Sequence, residues 1–178
     1  TSWCDFQPCG RNKHLDSKKL VYIHPETDKH ACRTLQKIKD AGAKAGIALN
    51  PGTSFETVKE LLYLCDYVML MSVNPGFAGQ KYLDFVTPKF RQFVDAASNY
   101  GGYQVMIDGA CSPEKIAMLS KVGVKGFILG TSALFGKEKS YKEIITEFVF
   151  IRNCVIMMIS QRNKKERKRE KERKEKKE

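Results

Sequence analysis

The sequence predicts an α/β fold with a parallel sheet, either a part of a (β/α)₈ barrel or an open doubly wound sheet. Five apolar runs alternate with helical stretches along the chain. The runs are continuously apolar, which is typical of parallel strands buried on both faces. A complete (β/α)₈ barrel usually takes about 250 residues, and this chain has 178. We therefore expect five consecutive βα units and not a closed barrel.

The five strands are predicted in order from their apolar runs. Each run is bounded by turn-forming or polar residues, and the strands begin near residues 20, 45, 67, 104 and 126. The runs are LVYIH (20–24), AGIALN (45–50), YVMLMSV (67–73), YQVMID (103–108) and GFILG (126–130).

A helix is predicted after each strand. The first carries Ala31, Leu35 and Ile38 on one face, and the third covers roughly 84–99. Thr53 and Glu56 form a capping box for the second helix, which we expect from Ser54 to about Leu64. The fourth helix is capped by Ser112 with Pro113 at its first position, and the fifth ends near Phe148.

The charge is concentrated at one end of the chain. The net charge is +11, and residues 164–178 hold 10 basic and 5 acidic residues of low complexity. We expect a solvated tail there, so nucleic-acid binding inferred from bulk charge is not favoured. The predicted organisation is an irregular segment (1–19), an α/β domain (20–150) and an apolar stretch plus charged tail (151–178). The apolar part of that last segment, IRNCVIMMIS, is too short and interrupted to predict a membrane span.

Six cysteines occur without a CxxC pair and without zinc-site spacing. No signal peptide is evident. We therefore expect reduced thiols and a cytoplasmic protein.

Candidate functional residues follow the strands, because sites in parallel α/β folds gather at the carboxyl ends of strands. Asp108 is a general acid/base, a metal ligand or a helix-capping residue. The glycines of PGFAG (75–79) and of Gly130-Thr131-Ser132 leave backbone amides free to bind an anion, or form ordinary turns and caps. By default, His24 is a hydrogen-bonded structural residue and Met71 a core residue.

These segments together resemble the ribulose-phosphate 3-epimerase family over residues 21–147. The motifs that carry the resemblance occur in the family's order: IHPE (23–26), GIALNPGT (46–53), MSVNPGFAGQ (71–80), IDGACSPEKI (107–116) and GTSALFG (130–136). The resemblance implies a (β/α)₈ barrel of which this chain carries the fourth to eighth units.

The resemblance also implies an activity, the epimerisation of a ketose phosphate at C3. One aspartate would remove the C3 proton and a second would return a proton to the other face, with a divalent zinc, iron or manganese ion holding two substrate oxygens. Asp108 matches one of these aspartates, which is also a metal ligand. The implied phosphate-binding and substrate-contacting residues are Gly76, Phe77, Ala78, Gly79, Gly109, Ala110, Gly130 and Thr131, and the implied pocket-lining residues are His24 and Met71.

The sequence departs from the family pattern in two short motifs. It has GFAG where the family usually has GFGG, and DGA where the family has DGG. GFAG, HPE and GTS-LF favour the allulose-6-phosphate 3-epimerase branch, whereas VNPG and ALNP favour the ribulose-5-phosphate type.

The family's first three strands, which supply the other metal ligands and the second aspartate, have no counterpart in the sequence. We interpret the H-x-D spacing of His14 and Asp16 as chance. The chain alone is therefore expected to be nearly inactive and to form a homo-oligomer or bind a complementing chain. The alternative from another class is a non-catalytic α/β domain that binds acidic partners through its basic tail.

Overall fold

The computed structural model describes residues 19–77, 79–130, 133–134 and 138–151. Several expectations lie outside these residues, namely those for the segment 1–18 with its His14 and Asp16, for Ala78, Thr131 and Ser132, and for the charged tail.

A single sheet of five parallel strands forms the centre of the described fold. The strands pair in sequence order, β1-β2-β3-β4-β5. Right-handed crossovers in this order place every helix on the same face of the sheet, whereas a doubly wound sheet reverses its strand order. The order therefore confirms the prediction of a partial barrel. The strands are β1 (Leu20–Ile23), β2 (Lys44–Leu49), β3 (Tyr67–Met71), β4 (Gln104–Asp108) and β5 (Gly126–Ile128).

A helical segment follows each strand, as predicted. Two of them contain 3₁₀ turns that the sequence did not indicate. The helices are α1 (Ala31–Asp40), α2 (Phe55–Val58, continued by a 3₁₀ helix over Lys59–Leu64), α3 (Thr87–Ala96, between 3₁₀ turns at Asp84–Val86 and Ala97–Tyr100), α4 (Pro113–Val122) and α5 over 141–151. Within the described residues, none of these helices is long and apolar enough to span a bilayer.

The predicted cap of α2 is wrong, and that of α4 is confirmed. Ser54 caps α2 by accepting a hydrogen bond from the Thr57 amide, because the Thr53 hydroxyl instead donates to Glu26. Ser112 caps α4 as expected, and Asp108 does not.

The core lies between the sheet and the helices. Three neighbouring strands contribute buried side chains to this core. Ile47 of β2 pairs in register with Val68 of β3, Val68 pairs with Val105 of β4, and all three are buried. From the helices, Leu35, Phe90 and Leu119 are fully buried in the same cluster. Fully burying one such side chain contributes about 1.5–3 kcal/mol, so this layer holds the strands in register.

The other face of the sheet is concave. The Tyr22 hydroxyl lies 2.8 Å from Met106 Sδ, although β2 and β3 separate their strands by about 14 Å in a flat sheet. A Cβ added to Gly46 would lie 2.6 Å from the Tyr22 ring, and one added to Gly126 would lie 2.5 Å from Met106 Cε. Gly46 and Gly126 thus leave room for the side chains of Tyr22 and Met106. The sheet curls toward this side, as part of a barrel does.

Candidate functional site

Asp108 is the last residue of β4, at the carboxyl end of the strand next to the outer strand β5. In the strand register it pairs with Met71 of β3 and with Ile128 of β5. Its neighbour Ile107 is fully buried in the core, whereas Asp108 and Met71 are half-buried. Because side chains alternate along a strand, Asp108 and Met71 face the concave side. Within the part of the chain that the structure describes, no hydrogen bond or ion pair engages the Asp108 carboxylate.

Ser72 fixes the backbone around Asp108. It is fully buried, and its amide donates to the Asp108 carbonyl at 2.9 Å. Its hydroxyl donates to the Gly109 carbonyl at 2.6 Å. Ser72 was not predicted as a functional residue from the sequence, although a small polar residue directly after an apolar strand could have indicated it.

Gly109 and Ala110 form a tight turn after Asp108. Their φ angles are +102° and +42°, in the left-handed region that favours glycine. A Cβ at Gly109 would also lie 2.6 Å from Val73 Cγ2 and 3.1 Å from Ser72 Oγ. Only glycine fits at position 109, and Ala110 holds a strained conformation.

The glycine-rich loop after β3 is closed by Gln80. Its side-chain amide donates to the carbonyls of Asn74 and Phe77, at 2.5 and 3.0 Å. Gly76 and Gly79 have φ angles of +137° and +83°, and a Cβ at either would meet no described heavy atom within 4 Å. Glycine therefore suits these two positions because of the backbone conformation and not because of crowding by neighbouring atoms. The Phe77 side chain is 73% exposed, so its ring does not pack in the core.

Gly130 lies two residues after the end of β5 at Ile128. Its carbonyl accepts hydrogen bonds from the amides of Ala133 and Leu134, at 3.1 and 2.7 Å. These two hydrogen bonds are those of a turn that begins at Gly130.

His24 lies at the end of β1, and β2 and β3 separate it from Asp108. Its Nδ1 is 3.7 Å from a carboxylate oxygen of Glu26. Glu26 accepts hydrogen bonds from the Asn50 amide at 2.8 Å and the Thr53 hydroxyl at 2.5 Å. Glu26 therefore connects the loop after β1 to the loop after β2, a role that no local sequence pattern indicates.

The surroundings of Glu26 change its pKa. Burial raises the pKa of Glu26, but the hydrogen bonds from Thr53 and Asn50 outweigh burial, so that the pKa is lowered from its ordinary value. Nearby, burial lowers the pKa of Lys89, whose ammonium donates to the Asn50 carbonyl at 3.0 Å. Glu26 is thus held as a carboxylate at neutral pH.

Cys111 follows the Asp108 turn and is buried. Burial, and then the charge of Asp108, raise the pKa of its thiol to about 12. Since the thiolate is the nucleophilic form, Cys111 is a neutral packing residue at physiological pH.

The described residues do not form a metal site. No three histidine, cysteine, aspartate or glutamate side chains among them converge. Among the described strand residues, Asp108 alone lies on the concave face with a free carboxylate. A catalytic metal site needs about three protein ligands. The implied metal ion does not fit these residues by themselves.

Comparisons with known proteins place this geometry in a family. The model of the ribulose-phosphate 3-epimerase family matches residues 12–135. A ribulose-phosphate 3-epimerase of Aquifex aeolicus is 40% identical over 117 residues, which are 65% of this chain and 52% of that protein. The ribulose-phosphate 3-epimerase of Rhodobacter capsulatus is 38% identical over 125 residues, which are 70% of this chain and 54% of that protein. The ribulose-phosphate 3-epimerase of Bacillus subtilis is 35% identical over 127 residues, which are 70% of this chain and 58% of that protein. The chain thus spans about half the length of these curated relatives. It belongs to the ribulose-phosphate 3-epimerase family.

Proposed function

We propose that this chain supplies one acid/base group and the phosphate-binding loops of a ketose-phosphate 3-epimerase. The reaction would convert ribulose 5-phosphate to xylulose 5-phosphate. The observation that carries the proposal is the Asp108 carboxylate, which faces the concave side at the carboxyl ends of the strands in a chain of this family.

Asp108 would act on one face of the sugar. The C3 proton is acidic because it neighbours the C2 ketone. As the C3–H bond breaks, the proton moves to the Asp108 carboxylate and the electron pair moves into the carbonyl, giving an enediolate. In this step the Asp108 carboxylate would act as a general base. The reverse step returns a proton to C3 on the same face.

Inversion at C3 needs a second acid/base group on the opposite face of the sugar. On the five described strands, Asp108 is the one carboxylate whose position faces the concave side. The second group would come from outside the described strands, and a complementing chain or a second copy of this chain is a candidate source. We expect the described strands alone to be nearly inactive. The implied zinc, iron or manganese ion would likewise need ligands besides Asp108.

The substrate phosphate would bind at the glycine-rich turns. Gly76, Gly79 and Gly109 all have positive φ angles, and backbone amides in such turns can point at an anion. The proposed binding residues also include Phe77, Ala78, Ala110, Gly130 and Thr131, with His24 and Met71 lining the pocket.

The relatives' names favour ribulose phosphate over allulose 6-phosphate as the substrate. The short motifs GFAG and HPE keep allulose 6-phosphate as the second candidate. A cytoplasmic location remains a prediction that accords with Cys32, Cys65 and Cys111 being free thiols.

An NMR titration of the ¹⁵N-labelled chain with each ketose phosphate tests this function. We expect ribulose 5-phosphate to shift the amide signals of Gly76, Gly109 and Gly130, and to bind more tightly than allulose 6-phosphate. Inorganic phosphate should shift the loop signals more weakly, since it lacks the sugar. Shifts confined to other surfaces, or none at millimolar ribulose 5-phosphate, would refute the proposal.

A further inference from the structure

We propose that Ser72 is a positioning residue for the substrate phosphate, because it turns the backbone amides of Gly109 and Ala110 toward the place where the phosphate would bind. The inference rests on the proposed function, since that function gives these two amides a phosphate to bind. Ser72 would not itself touch the substrate. Its hydroxyl would act through the carbonyl of Gly109, to which it donates a hydrogen bond.

Two successive peptide groups after β4 are held by Ser72. Its amide donates to the Asp108 carbonyl at 2.9 Å, and its hydroxyl donates to the Gly109 carbonyl at 2.6 Å. In a trans peptide the C=O and the following N–H point in opposite directions, and the described residues contain no cis peptide bond. Because both carbonyls point at Ser72, the amides of Gly109 and Ala110 both point away from it.

The two amides point toward the other glycine-containing turn of the proposed site. Ser72 directly follows β3, and β5 lies on the opposite side of β4. The amides therefore point to the side on which β5 ends and the chain continues to Gly130. Among the described residues, no group accepts a hydrogen bond from either amide. Successive N–H groups of a turn can bind an anion when they point to the same side.

The Ser72 hydroxyl holds a strained part of this turn. Ala110 has a φ of +42°, which an L-residue adopts only where its surroundings hold it. Ser72 is fully buried, so water does not compete for its bond to the Gly109 carbonyl. Without the hydroxyl, the peptide between Gly109 and Ala110 is free to rotate and to relieve the positive φ. The peptide before Gly109 would still be held by the backbone amide of residue 72.

Residual dipolar couplings of the ¹⁵N-labelled full chain test the orientation of the amides, because they report the direction of each N–H bond without a ligand. We expect Ser72→Ala to change the coupling of the Ala110 amide, and to change that of Gly109 much less. Ser72→Thr keeps the hydroxyl and should keep both couplings. Ser120→Ala is the matched control, because the buried Ser120 hydroxyl has no hydrogen-bond partner among the described residues, and it should change neither coupling.

Titration of the same variants with ribulose 5-phosphate tests the consequence for binding. We expect Ser72→Ala to raise the dissociation constant about tenfold, because one hydrogen bond from an amide to the charged phosphate is lost. Ser72→Thr and Ser120→Ala should bind as tightly as the unaltered chain. A purely structural role would lower the stability of Ser72→Ala but not the affinity of the folded protein, whose folded state is checked by circular dichroism.

Two results would overturn the inference. One is an unchanged coupling of the Ala110 amide in Ser72→Ala, and the other is unchanged affinity of the folded Ser72→Ala variant for ribulose 5-phosphate. In the second case the proposed function would stand, because the unaltered chain binds the sugar phosphate. No binding by the unaltered chain would instead refute the proposed function, and the couplings would still decide whether Ser72 orients the amides. Should Ser72→Ala not fold, Ser72→Cys replaces it, since a thiol is a weak donor and the same changes are expected at smaller size.

Discussion

Gly109→Ala is the substitution whose cost can be worked out most fully from the structure. At a φ of +102°, an alanine is strained by about 1–2 kcal/mol. Its Cβ would also lie 2.6 Å from Val73 Cγ2, and such overpacking typically costs about 1–3 kcal/mol. Alanine also lowers the conformational entropy of the unfolded chain, which offsets less than about 1 kcal/mol of this loss of stability. We expect the free energy of unfolding to fall by about 2–4 kcal/mol.

Urea unfolding of paired variants measures this cost. Gly102→Ala is the matched control, because its φ is +77° but a Cβ there would meet no described atom within 4 Å. This variant should have the backbone strain without the crowding, and its free energy of unfolding should fall by about 1 kcal/mol. Equal losses in the two variants would refute the argument that Val73 and Ser72 crowd position 109.

Three further substitutions test other parts of the account. Ala110→Gly should raise the free energy of unfolding by about 0.5–1 kcal/mol in urea, because it relieves the positive φ at that position; a loss would contradict this. Ser72→Ala should lower it by about 1–3 kcal/mol, since the hydroxyl that donates to the buried Gly109 carbonyl is lost, and an unchanged urea midpoint would count against that role. Glu26 has a lowered pKa when folded, so it stabilises the protein above its unfolded pKa and this contribution disappears as the pH falls through the folded pKa. Glu26→Gln should therefore flatten the acid side of a stability–pH profile, and an unchanged slope would show that Glu26 does not contribute.

The order of elements and the position of Asp108 could be predicted from the sequence because both depend on local signals. Continuous apolar runs specify buried parallel strands, and Ser112-Pro113 specifies the start of α4. Asp108 is the last residue of one of those runs, which places it at the carboxyl end of a strand.

The contacts between loops could not be predicted, because they join residues far apart in the chain. Thr53 has the residue type and spacing of a cap, but its hydroxyl donates to Glu26, which is 27 residues away. The Ser72 hydroxyl donates to Gly109 across 37 residues. No periodicity or spacing in a single sequence records such pairs.

The choice between an open sheet and a barrel also required the structure. Both folds give the same alternation of strands and helices. The sequential pairing of β1 to β5, and the approach of Tyr22 to Met106 on the concave side, distinguish them.

In the proposed function, Asp108 moves the C3 proton on one face of a ketose phosphate. Deuterium exchange in D₂O tests it without requiring inversion. The chain is incubated separately with ribulose 5-phosphate and xylulose 5-phosphate, and C3 is followed by proton NMR. A base on one face can remove the proton and return a deuteron to the same face, so the configuration is retained.

We predict that one of the two sugars gains deuterium at C3 and that Asp108→Asn abolishes this exchange. Asp84→Asn is the control, because Asp84 is an exposed carboxylate that pairs with Lys115 at 2.8 Å and should leave the exchange rate unchanged. Exchange that persists in a folded Asp108→Asn variant, or no exchange in either sugar, would contradict the account.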